Sequence, residues 1–201
     1  MKPAFHHLRA AVSSLRLLPH LAILLLLLSK RGNAIAIDLS RWADIHQLRS
    51  PSSRIDFANL FIAFMTFTPE FRNLFYLRAG RFARVIFWMC PPLATLQIDC
   101  KDVGPGLFIQ HGIATLISAE RIGANCWINQ HVVIGFSNDT DRPTIGNNVR
   151  IAAGAKIIGR VTVGDNATIG LNTAVLTDVE PGVTLIGVPG RAIWKGHAKS
   201  R

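Results

Sequence analysis

From Val103 onward, apolar positions recur with a step of six. Ile145, Ile151, Ile157, Val163, Ile169 and Val175 keep that step without a miss. Four residues after each stand Val149, Ala155, Val161, Ala167, Thr173 and Val179, all small or β-branched. Gly146, Ala152, Gly164 and Gly170 directly follow their aliphatic residue. Upstream, Leu116, Ile122, Ile128 and Ile134 hold the same step, and one extra residue separates them from Val103 and Ile109. This is the hexapeptide repeat of a parallel β-helix. Each short flat strand turns one aliphatic side chain inward, and the small residue four places on lets the chain round a corner. Three hexapeptides close a triangular coil. Stacked coils line the inward residues into ladders, each side chain adding about 1.5–3 kcal/mol of burial. Hexapeptide helices of this kind are left-handed, an exception to the usual right-handed crossover.

The repeat has one interruption. Eleven residues, not six, separate Ile134 from Ile145, and the insertion forms a polar loop around Phe136 to Thr144. No hydrophobic reason explains it, and loops on rigid scaffolds commonly carry function.

The first ninety or so residues follow a different grammar. Phe57 to Phe67 is densely apolar. Thr68-Pro69-Glu70 predicts a helix start, with Thr68 as N-cap and Pro69 at the first helical position. Phe71, Leu74, Phe75, Leu77, Phe82 and Val85 then repeat at helical spacing, with Arg72, Arg78, Arg81 and Arg84 between them. Pro91-Pro92 ends the segment. The expected fold class is α+β: a helical region over residues 1–98, a left-handed β-helix over 99–185 and a C-terminal segment over 186–201.

Charge sharpens that division. The chain of 201 residues carries 22 Lys+Arg against 12 Asp+Glu. Residues 1–98 hold 12 of the bases and 4 of the acids, a net of +8. The basic residues are dispersed and no nucleic-acid motif accompanies them, so no nucleic-acid partner is expected. An anionic membrane surface or an acidic small molecule fits better. Lys2, Arg9 and Arg16 precede the apolar run Leu21–Leu28, which resembles a signal peptide. Pro19-His20 is expected to break that run, Lys30-Arg31 follows it, and it is far shorter than the roughly 20 residues a span needs. A buried helix lying against membrane or a neighbouring subunit is the expectation. Cys90, Cys100 and Cys126 form no metal or disulfide pattern and read as reduced, mostly buried thiols of a cytoplasmic protein.

Four segments carry a family resemblance: Gly106-Leu-Phe-Ile-Gln-His111, Asp141-Arg-Pro143, Ala153-Gly-Ala-Lys156-Ile-Ile-Gly159 and Ile186-Gly-Val-Pro-Gly-Arg191. Over roughly residues 99–196 the chain resembles the serine acetyltransferases and the related acetyltransferases of surface-polysaccharide synthesis. The resemblance implies an acetyl-coenzyme A-dependent O-acetyltransferase working as a homotrimer, with each active site between two prisms. His111 falls on the family's catalytic histidine. That chemistry is sound, because a base must take the hydroxyl proton as oxygen attacks the thioester. The family orients this ring with a carboxylate. Asp99 is the match by context, although its segment is about three residues shorter here, and Asp102 is the alternative.

The acceptor pocket departs from the family pattern. Gln110 replaces an aspartate expected to contact the serine amine. The Asp-Arg-His-Pro loop is reduced to Asp141, Arg142 and Pro143, in which Arg142 still offers a bidentate grip on a carboxylate. L-serine and a saccharide hydroxyl therefore both remain as acceptors. For coenzyme A the resemblance points to the coil at Gly154, Ala155 and Lys156 and to Arg191 and Lys195 on the terminal segment. Oxyanion donors are expected near Gly135 or Gly154. His131 lies one coil beyond His111 and is read as lining the substrate pocket or an intersubunit face. A zinc site would need a third histidine in the coils, so no metal is expected. Trp127 is read as corner packing and Cys126 as an inward repeat residue. The tail Lys195 to Arg201 is short and basic, and no stable complex with a sulfhydrylase is expected.

Overall fold

The computed structural model describes residues 3–28, 34–138 and 140–195. The chain forms two compact units, Met1–Leu93 and Ala94–Arg201. Lys30-Arg31 and the tail beyond Lys195 lie outside the described residues.

The first unit contains helices α1 (Pro3–Leu28), α2 (Ala34–Ile45), α3 (Arg54–Phe67) and α4 (Pro69–Ala79), then a 3-10 helix over Arg81–Met89. Leu17, Leu24, Leu39, Trp42, Phe61, Phe71 and Phe75 make its core. Aromatic edges meet faces there: Trp42 stands 5.3 Å from Phe71, and Phe61 4.9 Å from Phe75, a geometry that adds to plain burial. The apolar run does not break at Pro19; α1 continues through it. His20, in the next position, is buried. Its ring bonds the Arg16 carbonyl at 3.1 Å and the Tyr76 hydroxyl at 2.8 Å. Burial lowers the pKa of His20, and the bond to Arg16 opposes that shift.

Two helix boundaries differ from the sequence expectation. Thr68 does not cap α4 with its side chain; its N–H instead closes α3 on Phe64 O. The helical run also stops at Gly80, whose φ of 73° lies in the left-handed region. Val85 consequently faces solvent rather than the core.

A cap that the sequence reading did not mark begins α3. Ser53 and Asp56 form a capping box, each side chain bonding the other's backbone N–H. Bonds from Ser52 and Ser53 draw the Asp56 carboxyl from 3.8 down to about 2. A depressed folded pKa contributes stability that is present above the unfolded value and lost as pH falls through the folded one. Between pH 3.8 and about 2, acid should therefore weaken this helix start. Asp56→Asn is expected to remove that part of the acid-unfolding curve, measured by circular dichroism across the same window.

The second unit is a coil of short strands in three sheets. Sheet A joins β1 (Leu96–Ile98), β4 (Thr115–Ile117), β7 (Val133–Gly135), β10 (Lys156–Ile158) and β13 (Ala174–Val175). Sheet B joins β2 (Asp102–Val103), β5 (Arg121–Ile122), β8 (Thr144–Ile145) and β11 (Thr162–Val163). Sheet C joins β3 (Phe108–Ile109), β6 (Trp127–Ile128), β9 (Arg150–Ile151), β12 (Thr168–Ile169), β14 (Val183–Ile186) and β15 (Arg191–Lys195). Each strand up to β10 pairs in parallel with the third one on, and β12 pairs in parallel with β14; among the described residues only β15 turns back, antiparallel on β14. Strand β1 begins before residue 99, so the coil starts slightly earlier than the six-residue period marks.

The inward ladders match the repeat. Ile122, Ile128, Ile134, Ile145, Ile151, Ile157, Val163 and Ile169 are all fully buried, and Cys126 with them. Leu116 is the exception. It is 36% exposed, while Ile117 beside it is 0% exposed and pairs with Ile134. A one-residue shift in a strand exchanges its inner and outer faces. Ile117 stands eight residues after Ile109 and only five before Ile122, which leaves Leu116 and Val133 side by side on the outer face of sheet A.

The corners are set by left-handed backbone positions. Gly106, Asn125, Asn148, Asn166 and Gly182 stack at one corner, each N–H after the first bonding one coil back. At the corner between sheets C and A the column is Ala114, His131, Gly154 and Asn172. Asn, His and Gly are the residues that tolerate this conformation best.

Candidate active site

His111 sits on the turn from β3 to β4, with φ 55°. His131 sits one coil on at the same corner, with φ 58°. Both rings are exposed, and neither has a hydrogen-bond partner among the described residues. Lys156 lies on the next coil. Its Nζ donates to His131 O at 2.7 Å and Gly154 O at 2.8 Å, which leaves one of its three donors for a ligand. The sequence thus places two histidines and an ammonium along one edge of sheet A.

The backbone around Lys156 is otherwise engaged. Gly154 N–H donates to Gln130 O, and Ala155 N–H to Ala152 O. Ala155 is buried. A Cβ on Gly154 would stand 1.9 Å from Asn172 Oδ1, so glycine here answers to coil packing. Gly135 is buried on β7, and its carbonyl accepts from Gly159 N–H. Arg191 is exposed at the start of β15, and Lys195 ends that strand.

The opposite edge of sheet A, toward sheet B, holds Asp99 and the polar loop. Asp99 follows β1, and the loop follows β7. Arg142 Nη1 bonds the Asp99 carboxylate at 2.8 Å and its carbonyl at 3.2 Å. The Arg142 guanidinium also lies 5.1 Å over the Phe136 ring, a favourable cation–π contact. Asp141 faces its own loop, accepting from Ser137 N–H, Ser137 Oγ–H and Asn138 N–H. Those bonds lower its pKa, the Ser137 hydroxyl foremost. Asp102 pairs with Arg121 at 3.2 Å in an exposed bridge. Within one chain, then, Asp99 is turned to Arg142, and His111 stands across the width of sheet A from it.

Gln110 is tied down as well. Its Oε1 accepts from Trp127 Nε1–H at 3.1 Å. Trp127 lies on strand β6, not at a corner, between Phe108 at 4.8 Å and the Arg150 guanidinium at 4.8 Å. The sequence reading missed both the Phe136 lid on Arg142 and this Gln110–Trp127 bond. Nothing in local spacing marks them, because each joins residues brought together by the stacking of coils. Among the described residues no group of three His, Cys, Asp or Glu is placed to hold a metal ion.

The family described as bacterial transferase hexapeptide (six repeats) matches residues 142–175. A serine acetyltransferase of Synechococcus elongatus is 39% identical over 101 residues, covering 48% of this chain and 41% of that protein. The coil unit is similar to serine acetyltransferases over about half of the chain. The chain spans well under two thirds of that curated relative. Among solved structures, the hexapeptide-repeat fold is shared with a Neisseria gonorrhoeae serine acetyltransferase in complex with serine. There the TM-score is 0.63 at 24% identity, over 86% of this chain and 74% of that one. A Brucella abortus serine acetyltransferase in complex with coenzyme A gives a TM-score of 0.61 at 24% identity, over 84% and 69%.

Proposed function

We propose that this protein is an acetyl-coenzyme A-dependent O-acetyltransferase, of the kind that converts L-serine to O-acetylserine, with His111 as general base. The observation that carries the reading is His111 itself, exposed at a turn of a hexapeptide-repeat domain and beside a second histidine and Lys156. The His111 ring takes the proton from the acceptor hydroxyl as that oxygen attacks the thioester carbonyl. The oxyanion then collapses, the carbon–sulfur bond breaks, and the coenzyme A thiolate takes the proton back from the imidazolium. Such a base contributes about 10²–10⁴ in rate. The open donor of Lys156, with Arg191 and Lys195 on the terminal segment, would meet the coenzyme A phosphates. The reduced thiols fit a cytoplasmic enzyme.

A homotrimer is part of the proposal. His111, His131 and Lys156 occupy one edge of sheet A, while Asp99, Arg142 and Asp141 occupy the other. Prisms packed side by side would set one edge of each chain against the other edge of its neighbour and assemble a complete site. The exposed Leu116, Leu171 and Leu176 of this coil supply apolar surface for that packing.

One observation favours a second acceptor, a saccharide hydroxyl of a surface polysaccharide. Arg142, the cation that would hold an amino acid's carboxylate, is already paired with Asp99. Gln110 offers no charge to an ammonium group. A saccharide needs neither, and the basic helical unit would then hold the enzyme beside membrane-linked glycans. Thiol release from acetyl-coenzyme A, run with L-serine and then with sugars and nucleotide sugars, decides between the two. Turnover with serine supports the first reading, and turnover with a saccharide alone supports the second. Silence with every acceptor overturns both.

A further inference from the structure

The helical unit holds a cavity of about 170 Å³ that the acetyl-transfer reading does not use. Arg16, Leu17, Met65, Thr66, Arg72 and Cys90 line it, together with Met89 and Pro91. Two guanidinium groups thus share a small space with no carboxylate on its wall. Arg72 is fixed there, donating to Met65 O at 2.6 Å, Thr66 O at 2.7 Å and Pro91 O at 2.9 Å. Two of its five N–H donors are left over. Arg16 is exposed and has no ion-pair partner among the described residues. Both arginines act on the Cys90 thiol, opposing the upward shift that burial gives it.

Exposed apolar residues flank the lining residues along the chain. Leu18, Phe67 and Trp88 are the chain neighbours of the lining residues Leu17, Thr66 and Met89. They are 56%, 82% and 72% exposed. The apolar surface continues along α1, where Leu18, Ala22 and Leu25 share one helix face by their spacing and are all exposed. A helix apolar on every side is ordinarily buried on every side. Here Leu17 and Leu24 are buried in the unit while Leu18, Leu25 and Leu26 face outward. No helix among the described residues is long and apolar enough to cross a membrane, so this surface is suited to lie on a bilayer rather than to span it.

We infer that the helical unit docks on an anionic lipid surface, with a lipid phosphate at the Arg16–Arg72 cavity and Leu18, Phe67 and Trp88 entering the acyl boundary around it. The charge agrees, since residues 1–98 carry a net of +8. Aromatic side chains beside arginines match the layered chemistry of that boundary, where rings sit at head-group depth and guanidinium groups meet phosphate. This gives physical form to the membrane contact joined above to the saccharide reading, but it does not depend on which acceptor is used.

Flotation of the full chain with phosphatidylcholine vesicles, with and without phosphatidylglycerol, tests the inference. The chain is expected to float with the anionic vesicles and to be released by salt. Arg16→Gln should weaken partition about fivefold. Phe67→Ser combined with Trp88→Ser should weaken it by about tenfold or more. Both positions are exposed, and circular dichroism checks that the helices remain. Failure to float, or equal flotation with both vesicle types, overturns the inference. So does a halving of the assembly's mass in the Phe67→Ser, Trp88→Ser variant, which would give this face to a second copy of the chain. Thiol release from the same preparations separates the two proposals. A chain that floats without turnover keeps the docking surface and loses the enzyme, and one that turns over without floating does the reverse.

Discussion

Replacing His111 by asparagine is expected to lower acetyl transfer by about 10²–10⁴-fold, the contribution typical of a general base. Asparagine is the informative replacement because His111 has a φ of 55°. Alanine would add strain at that backbone conformation, whereas asparagine enters it readily. The side chain is exposed and packs no core, so the coil should melt as the wild type does. The loss should fall on kcat with KM for acetyl-coenzyme A little changed, since the proton transfer belongs to the transition state. The assay is thiol release with whichever acceptor supports turnover. Unchanged turnover in the asparagine variant would remove His111 from the chemistry, whereas no turnover in either protein would leave the coil as a binding scaffold. His131→Asn is the matched control. It occupies the same corner one coil away, with φ 58°, and it lines the site in the proposed reading without taking the proton.

The coil was legible because its physics is periodic. One aliphatic residue per short strand, with a small residue four places on, leaves few other folds, and the inward positions from Ile122 to Val175 obeyed it. Leu116 escaped because the turn before this strand is two residues longer than the repeat and the turn after it one shorter, and only pairing with Ile134 shows that Ile117 is the inner one. The site was legible as a set of residue types, not as an arrangement. Sequence context joined Asp99 to His111. The order of the strands instead puts Asp99 after β1 and His111 before β4, on opposite edges of sheet A. Arg142 crosses from the inserted loop to take the Asp99 carboxylate, and no local spacing encodes a contact between residues so distant in sequence. In the helical unit, the apolar spacing found the core at Phe71, Leu74 and Phe75. It ran on past Gly80, where a left-handed residue ends α4.

The helical unit also hides a charge that its pattern does not announce. Asp38 lies on α2 among Ile35, Leu39 and Trp42, and its side chain is 0% exposed. Arg78 Nε on α4 reaches it at 2.8 Å and Nη2 at 3.3 Å, a two-pronged grip on both carboxylate oxygens. Removing one partner of a buried pair leaves the other charge stranded, at about 3–5 kcal/mol. Arg78→Met, which keeps much of the stem's bulk, should therefore lower the unit's stability by that order, read as a fall in the urea midpoint. Asp38 has no solvent to screen its charge. If its charge is what makes the single variant costly, taking the charge away as well should recover most of the loss. Asp38→Leu with Arg78→Met is expected to unfold within about 1.5 kcal/mol of the wild type, because apolar replacement of a whole buried pair is often neutral or better. A double variant as unstable as the single would mean that Arg78 stabilises through its packing and not through its charge. A single variant as stable as the wild type would mean that the remaining contacts of Asp38 hold its carboxylate without the arginine.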